Sequence, residues 1–362
     1  VPTFAGLAGD RRWALGGVLA RSGSFRAEGG GGGGEHVAAL VEIAELEKHF
    51  PVKASMLEAI RGRQAWVRAV DGLSFRLAEG ESVGLVGESG CGKTTTGRLL
   101  LKLLEPTAGT ISFAGKDLRT FTRGDLRRFR RQVQLVFQNP FEALNPRFTI
   151  YRSLVEPLVN AGISAEEHPA RIAKAMERVH LPDTATYFDK FPHQLSGGQL
   201  QRVVLARALV LEPIFMVADE PVSMLDVSVR AGILNVMREA RDTLGLTAVY
   251  ISHDLALVRY VCERTIVMYL GKVMEDGPTE QVIREAAHPY TQALVRAVPT
   301  PNPGQSHDPL PIHGGISDAK DPPSGCRFRD RCPHAFDRCV TEEPQETEVA
   351  SGHVVFCHLH KA

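Results

Sequence analysis

Gly87, Glu88, Ser89, Gly90, Cys91, Gly92, Lys93 and Thr94 reproduce the spacing G-x-x-x-x-G-K-[ST]. Few backbones admit that spacing, because it calls for a strand before it and a helix after it. Both are readable here. Ser82–Val86 is a short apolar run suited to a buried strand, and residues 94–104 read as a helix that stops before Glu105 and Pro106. The glycines let backbone N–H groups turn inward toward phosphate oxygens, and the helix N-terminus adds a favourable dipole. In that cradle, which runs on through Thr95, Lys93 is expected on the β- and γ-phosphates and Thr94 on Mg²⁺. A glycine-rich turn with an incidental lysine would match by chance in only on the order of one chain in a hundred. The phosphate loop is the better reading. Cys91 is a small residue at a variable position and is given no redox role.

A second element supports the first. From Ile214 to Ala218 the chain is apolar, and it then ends in Asp219 and Glu220. An apolar strand beside the phosphate loop would aim Asp219 at the Mg²⁺ shell. Glu220, one residue on, is placed to polarise a water for in-line attack on the γ-phosphate. Residues 247–251 form a further short apolar run, with helical stretches between the runs. Strands alternating with helices predict an α/β domain with a largely parallel sheet, and a helix-rich insert over roughly 140–200.

Bulk numbers remove some alternatives. The 362 residues carry 42 Lys plus Arg against 42 Asp plus Glu, which does not suggest a nucleic-acid partner. No apolar run reaches the roughly 18 residues of a membrane span, so any work at a membrane is expected to be peripheral. Arg123, Arg127, Arg128, Arg130 and Arg131 form a basic run. Leu126, Phe129 and Val133 interleave at helical spacing, so a solvated surface helix is preferred to a binding site. Residues 1–36 read as a flexible leader with a six-glycine run at 29–34, a disordered extension being preferred to a targeting peptide.

Many protein classes share a phosphate loop and an acidic strand end. Leu195, Ser196, Gly197, Gly198 and Gln199 separate this chain from most of them, because they are identical to the signature of the ATP-binding-cassette (ABC) ATPases. The resemblance covers roughly residues 38–300. It adds Gln138 as the Q-loop residue, Ser223-Met-Leu-Asp226 as the D-loop and His253 as the switch histidine. It implies a P-loop fold with a helical signature subdomain over 37–300, and ATP bound between two cassettes packed head to tail. Ser196, with the backbone of Gly198, would then reach the partner's γ-phosphate. His253 would contact the γ-phosphate, and Gln138 would sense Mg²⁺ and the attacking water. An aromatic residue is expected on the adenine, with Phe50 the first choice and Trp66 the second. Met224 departs from the family's usual alanine, yet Asp226 and Glu220 remain.

Several phrases narrow the resemblance to the dipeptide/oligopeptide (and nickel) importer ATPases. They are the phosphate loop itself, Phe137-Gln-Asn-Pro140, Asp226-Val-Ser-Val-Arg230, Met268-Tyr-Leu-Gly271 and His288-Pro-Tyr-Thr291. Cys326, Cys332, Cys339 and Cys357 fall in a proline- and glycine-rich tail over 301–362 and look like that group's cysteine-rich extension. The resemblance implies a [4Fe–4S] cluster; zinc is the rival, since it also accepts four thiolates and His334, His353 and His358 lie nearby. A structural staple is preferred to electron transfer, in a tail expected to loosen without disturbing nucleotide binding at Lys93. The implied partners are a second, different ATPase subunit and two transmembrane permeases that dock near residues 141–147. An extracytoplasmic solute-binding protein would act indirectly. The implied place is the cytoplasmic face of the membrane, peripherally. A non-transport cassette in translation or DNA repair usually carries two cassettes or a coiled-coil insert, and neither is seen here. An ATP-binding regulator without turnover is argued against by Glu220 and His253.

Overall fold

The computed structural model describes residues 39–52, 66–298, 312–315, 320 and 322–360. The leader and its glycine run lie outside the described residues. Among the described residues twelve strands follow one another: β1 (Ala39–Pro51), β2 (Trp66–Ala78), β3 (Ser82–Val86), β4 (Ala108–Phe113), β5 (Lys116–Asp117) and β6 (Val133–Val136), then β7 (Phe215–Asp219), β8 (Thr247–Ser252), β9 (Arg264–Tyr269), β10 (Lys272–Pro278), β11 (Glu346–Ala350) and β12 (His353–Phe356).

The main sheet has the order β11-β12-β10-β9-β3-β8-β7-β6. Its centre, from β9 across to β6, is parallel. All residues of β3 and β8 are buried, as expected for strands covered on both faces. The register places Val86 beside Ser252 and Asp219 beside Ile251, so β3, β7 and β8 end at one level. Open α/β sheets bind ligands at that carboxyl edge. A second, antiparallel sheet, β2-β1-β4-β5, covers one face and was not anticipated from the sequence. Between the sheets Phe113 meets Phe129 edge to face, with ring centroids 5.0 Å apart. Phe129 belongs to the helix Arg123–Gln132, so the basic run does lie on a helix with a buried stripe. Val133, expected to continue that stripe, instead opens β6.

The helix after the phosphate loop, Lys93–Leu100, is shorter than the expected 94–104. Leu103 donates its amide to the Arg98 carbonyl, and Lys102 takes a positive φ of 50°, which closes the helix early. Residues 140–200 form the helical insert, with its longer helices at Ile150–Ala161 and His168–Arg178.

The cysteine-rich tail is joined to the main sheet. β12 pairs with β10 through Glu275–Val355 and Asp276–Val354, which extends the sheet edge. Phe328, fully buried against Tyr269 and Tyr290, is an apolar anchor of this proline- and glycine-rich tail and was not anticipated from the sequence. A buried polar knot adds to it. Glu275, with no exposed surface, accepts from the amides of Ala287 and His288 and pairs with His353 Nε2 at 2.7 Å. Burial works to raise the Glu275 carboxyl, but the His353 ring and the two amides outweigh it and hold it below its ordinary value. A carboxyl depressed in the folded state stabilises above its unfolded pKa and loses that contribution as pH falls through the folded value. Glu275→Ala would strand the amides of Ala287 and His288 and the buried His353 ring. It should lower the unfolding free energy by about 2–4 kcal/mol. Urea unfolding at neutral pH checks this, and an unchanged midpoint would remove the knot from the account.

Candidate functional site

Six residues named from the sequence meet at the carboxyl edge of β3, β7 and β8. The phosphate loop leaves β3 with Gly87, Gly90 and Gly92 all at positive φ. Gly92 has a second reason to be glycine, since a Cβ there would lie 2.1 Å from the Ala69 carbonyl oxygen. Lys93 is buried and its ammonium donates to the carbonyls of Gly87 at 2.6 Å and Glu88 at 2.9 Å. The charge is thus held inside the curl of the loop. Cys91 is buried, and desolvation raises its thiol above the ordinary value, in keeping with an inert small residue.

Thr94 donates its hydroxyl to Asp219 Oδ1 at 3.2 Å, so the two expected Mg²⁺ residues are adjacent. Burial, and then the neighbouring Glu220 charge, lift the Asp219 carboxyl, while the Thr94 hydroxyl works against them. A divalent cation would relieve both effects. Glu220 stands at the end of β7 with a φ of +45°, a conformation non-glycine residues seldom adopt. Its amide donates to the Ile251 carbonyl, which fixes the bend. Gln138 Nε2 donates to one carboxylate oxygen at 3.0 Å, and His253 Nδ1 lies 2.9 Å from the other. Three segments far apart in sequence therefore converge on one carboxylate. Backbone strain held by such a network is characteristic of functional sites.

The signature residues are not part of this cluster. Ser196 caps the helix Gly197–Leu209, accepting from the Gln199 amide, while the Gln199 side chain accepts from the Ser196 amide. Both of these bonds stay within the motif, and Ser196 and Gly197 face solvent. Gly198 sits against the helix Val227–Leu244, where a Cβ would come 2.7 Å from Val229. The adjoining D-loop is also outward. Met224 is 63% exposed and Val227 79%, and Asp226 makes no side-chain cap bond. Phe50 and Trp66 lie at the paired ends of β1 and β2, with Pro51 opposite Trp66. Trp66 is exposed and Phe50 partly so, with the Lys48 ammonium 5.2 Å above its ring.

Beside Gln138 a cleft of about 190 Å³ is lined by Thr94, Arg98, Phe137, Asn139, Glu142 and Met224, among others. Asn139 accepts from the Phe141 amide, and the Phe141 ring is 58% exposed.

Cys326, Cys332, Cys339 and Cys357 form no disulfides, and three of them are buried. Burial pushes the Cys326 thiol up to about 12, and the other three cysteines add to the rise, so all four stand within electrostatic reach. Their sulfurs are nevertheless spread out. Among the described residues only Glu47, His49 and Asp71 bring three possible ligand atoms within 4.8 Å of one another. A zinc tetrahedron, with bonds of about 2.3 Å, would need its sulfurs roughly 3.8 Å apart. His353 is engaged by Glu275 and His358 by the Glu342 carbonyl.

Sequence reasoning missed one set of residues at the site. Arg331 reaches Glu88 of the phosphate loop with both terminal nitrogens, at 2.7 and 3.0 Å, and Tyr290 Oη accepts from the Glu88 amide at 2.8 Å. Tyr290 lay inside a phrase noted for resemblance, but no local pattern singled out Arg331.

Comparison with known proteins agrees with this geometry. A family model described as ABC transporter matches residues 70–223, and one described as oligopeptide/dipeptide transporter, C-terminal region, matches residues 274–339. The chain is 47% identical over 319 residues to a putative peptide import ATP-binding protein of Brucella ovis, covering 88% of this chain and 97% of that protein. It is 41% identical over 319 residues to the dipeptide transport ATP-binding protein DppF of Haemophilus influenzae, covering 88% and 96%. Among solved structures, a dimeric post-hydrolysis ATP-binding cassette bound to ADP and Pi aligns at a TM-score of 0.57 and 27% identity, over 66% of this chain and 98% of that one.

Proposed function

The chain belongs to the ATP-binding subunits of ABC transporters, in the oligopeptide/dipeptide group, and we propose that it powers peptide import by clamping ATP between two cassettes. The observation that carries this reading is the convergence of Gln138 and His253 on Glu220 beside the Thr94–Asp219 pair. Lys93 and the loop amides hold the β- and γ-phosphates, and Thr94 and Asp219 hold Mg²⁺, which supplies charge neutralisation for phosphoryl transfer. Glu220 polarises the attacking water, and His253 orients both that carboxylate and the γ-phosphate. Gln138 couples the site to the segment just after it, where Phe141 is exposed.

Half of each site must come from elsewhere. Ser196 is exposed and engaged in the cap of its own helix, which supports its serving, with the Gly198 amide, a partner's ATP from the N-terminus of the signature helix. The partner is a second, different cassette, and the exposed D-loop around Asp226 lies at the seam. Each of two permeases inserts a short helix by Phe141, which holds the chain at the cytoplasmic face; a solute-binding protein acts through the permeases. Phe50, rather than Trp66, stacks on adenine, since its partly covered ring already faces a cation. The four tail cysteines hold a [4Fe–4S] cluster that acts as a structural staple, a reading supported by four disulfide-free thiols, three of them buried, within electrostatic reach of one another.

Copurification of the chain with its permeases, followed by ATPase assays across di- and oligopeptides, tests the reading directly. Peptides should stimulate turnover several-fold, whereas a complex indifferent to every peptide would redirect the substrate assignment. Phe141→Asp should abolish stimulation while basal ATPase of the isolated chain persists. Assembly and coupled transport untouched by that charge would move the docking site elsewhere.

A further inference from the structure

Glu88 places a carboxylate in the loop that has to receive a triphosphate. Two groups outside the loop hold it. Tyr290 takes the Glu88 amide, so that N–H is engaged by the Tyr290 hydroxyl. Arg331 takes the carboxylate through two bonds, and it is itself only 4% exposed. The guanidinium is wedged against the rings of Tyr269 and Phe328, 5.6 and 5.7 Å from their centroids. Four residues earlier, Arg327 pairs with Asp71 of β2, the strand whose Ala69 carbonyl abuts Gly92. Both arginines ride on the turn between Cys326 and Cys332, and the Cys326 amide is tied to the Cys339 carbonyl. The turn that carries the cysteines thus grips the phosphate loop from outside.

We propose that Arg331 is a positioning residue for nucleotide binding, through which the cysteine-rich extension sets the shape and charge of the phosphate loop. This rests on reading Gly87 to Thr94 as the nucleotide cradle. Paired, Glu88 presents little net charge to an incoming polyanion; unpaired, it repels ATP at close range in a partly desolvated site. The bidentate fork also restrains the loop's second residue in a way that a lysine, with its single point charge, reproduces only in part. The extension is therefore coupled to the ATP site, whereas the sequence had suggested a separable staple.

Calorimetric titration of the full chain with Mg-ATP tests this. Arg331→Ala should weaken binding by about tenfold, and Arg331→Lys by less, because the charge survives. The double variant Arg331→Ala, Glu88→Gln should recover most of the loss, since the orphaned anion is gone. A purely structural anchor would show no such rescue. Wild-type affinity in Arg331→Ala, or a double variant no better than the single, would overturn the proposal. If Arg331→Ala does not fold, the lysine variant alone decides, and unchanged affinity there with Glu88 present overturns it too. Absence of Mg-ATP binding by the wild-type chain would instead sink the cradle reading, and the latch with it.

Discussion

Glu220→Gln is expected to lower steady-state ATPase by about 10²–10⁴ while ATP still binds, the range typical of losing a positioned acid–base group. The carboxylate has both oxygens engaged, by His253 Nδ1 at 2.9 Å and Gln138 Nε2 at 3.0 Å. Glutamine fits the same space, so the strained bend at a φ of +45° should survive. What disappears is the negative charge that, on the proposed role, draws a proton from the attacking water. An amide also sets one N–H₂ group against a neighbouring donor, which disorients Gln138 or His253. Removing an anion next to the γ-phosphate should meanwhile tighten the ATP-bound state. Size-exclusion chromatography with Mg-ATP should therefore show a persistent dimer or cassette pair alongside the collapsed turnover. Near-normal turnover in this variant would overturn the assignment of Glu220.

The second large effect is expected in the tail. Cys326→Ser should release the segment around β11 and β12 to proteolysis and lower the thermal midpoint. Metal–thiolate bonding contributes folding energy, roughly 10–16 kcal/mol in small zinc domains, and four desolvated thiols gain little without it. Phe328 and the Glu275–His353 knot provide some independent anchorage, so loosening rather than global unfolding should be seen. Protein purified without oxygen should be brown and carry about four iron atoms per chain. A colourless protein with one zinc would keep the staple and discard the cluster. Four alkylatable thiols in metal-replete native protein would discard both. Because Arg331 adjoins Cys332, the cysteine variants should also weaken ATP binding, against the expectation drawn from sequence.

Legibility followed locality. The phosphate loop, the acidic end of β7 and the signature each lie within eight contiguous residues, so they could be recognised without a structure. Gln138 and His253 were found only because a family pattern supplied their roles. Nothing in their own surroundings announces them; β6, β7 and β8 must first align for the two side chains to meet on Glu220. The basic run of arginines was read correctly as a helix surface because Phe129 supplied a buried stripe. The tail was misjudged in one respect, since its proline and glycine content obscured the few apolar residues that anchor it.

By itself the sequence determined the chemistry of this protein. A glycine-rich turn, a lysine and a carboxylate pair state their function through residue type and short spacing, because backbone sterics and charge act locally. Tertiary structure decided which distant groups share a site. The Arg331–Glu88 pair spans 243 positions, and the β10–β12 pairing carries the tail onto the sheet. Such contacts depend on where a whole sheet edge ends and which face it buries, and no window of sequence holds that information.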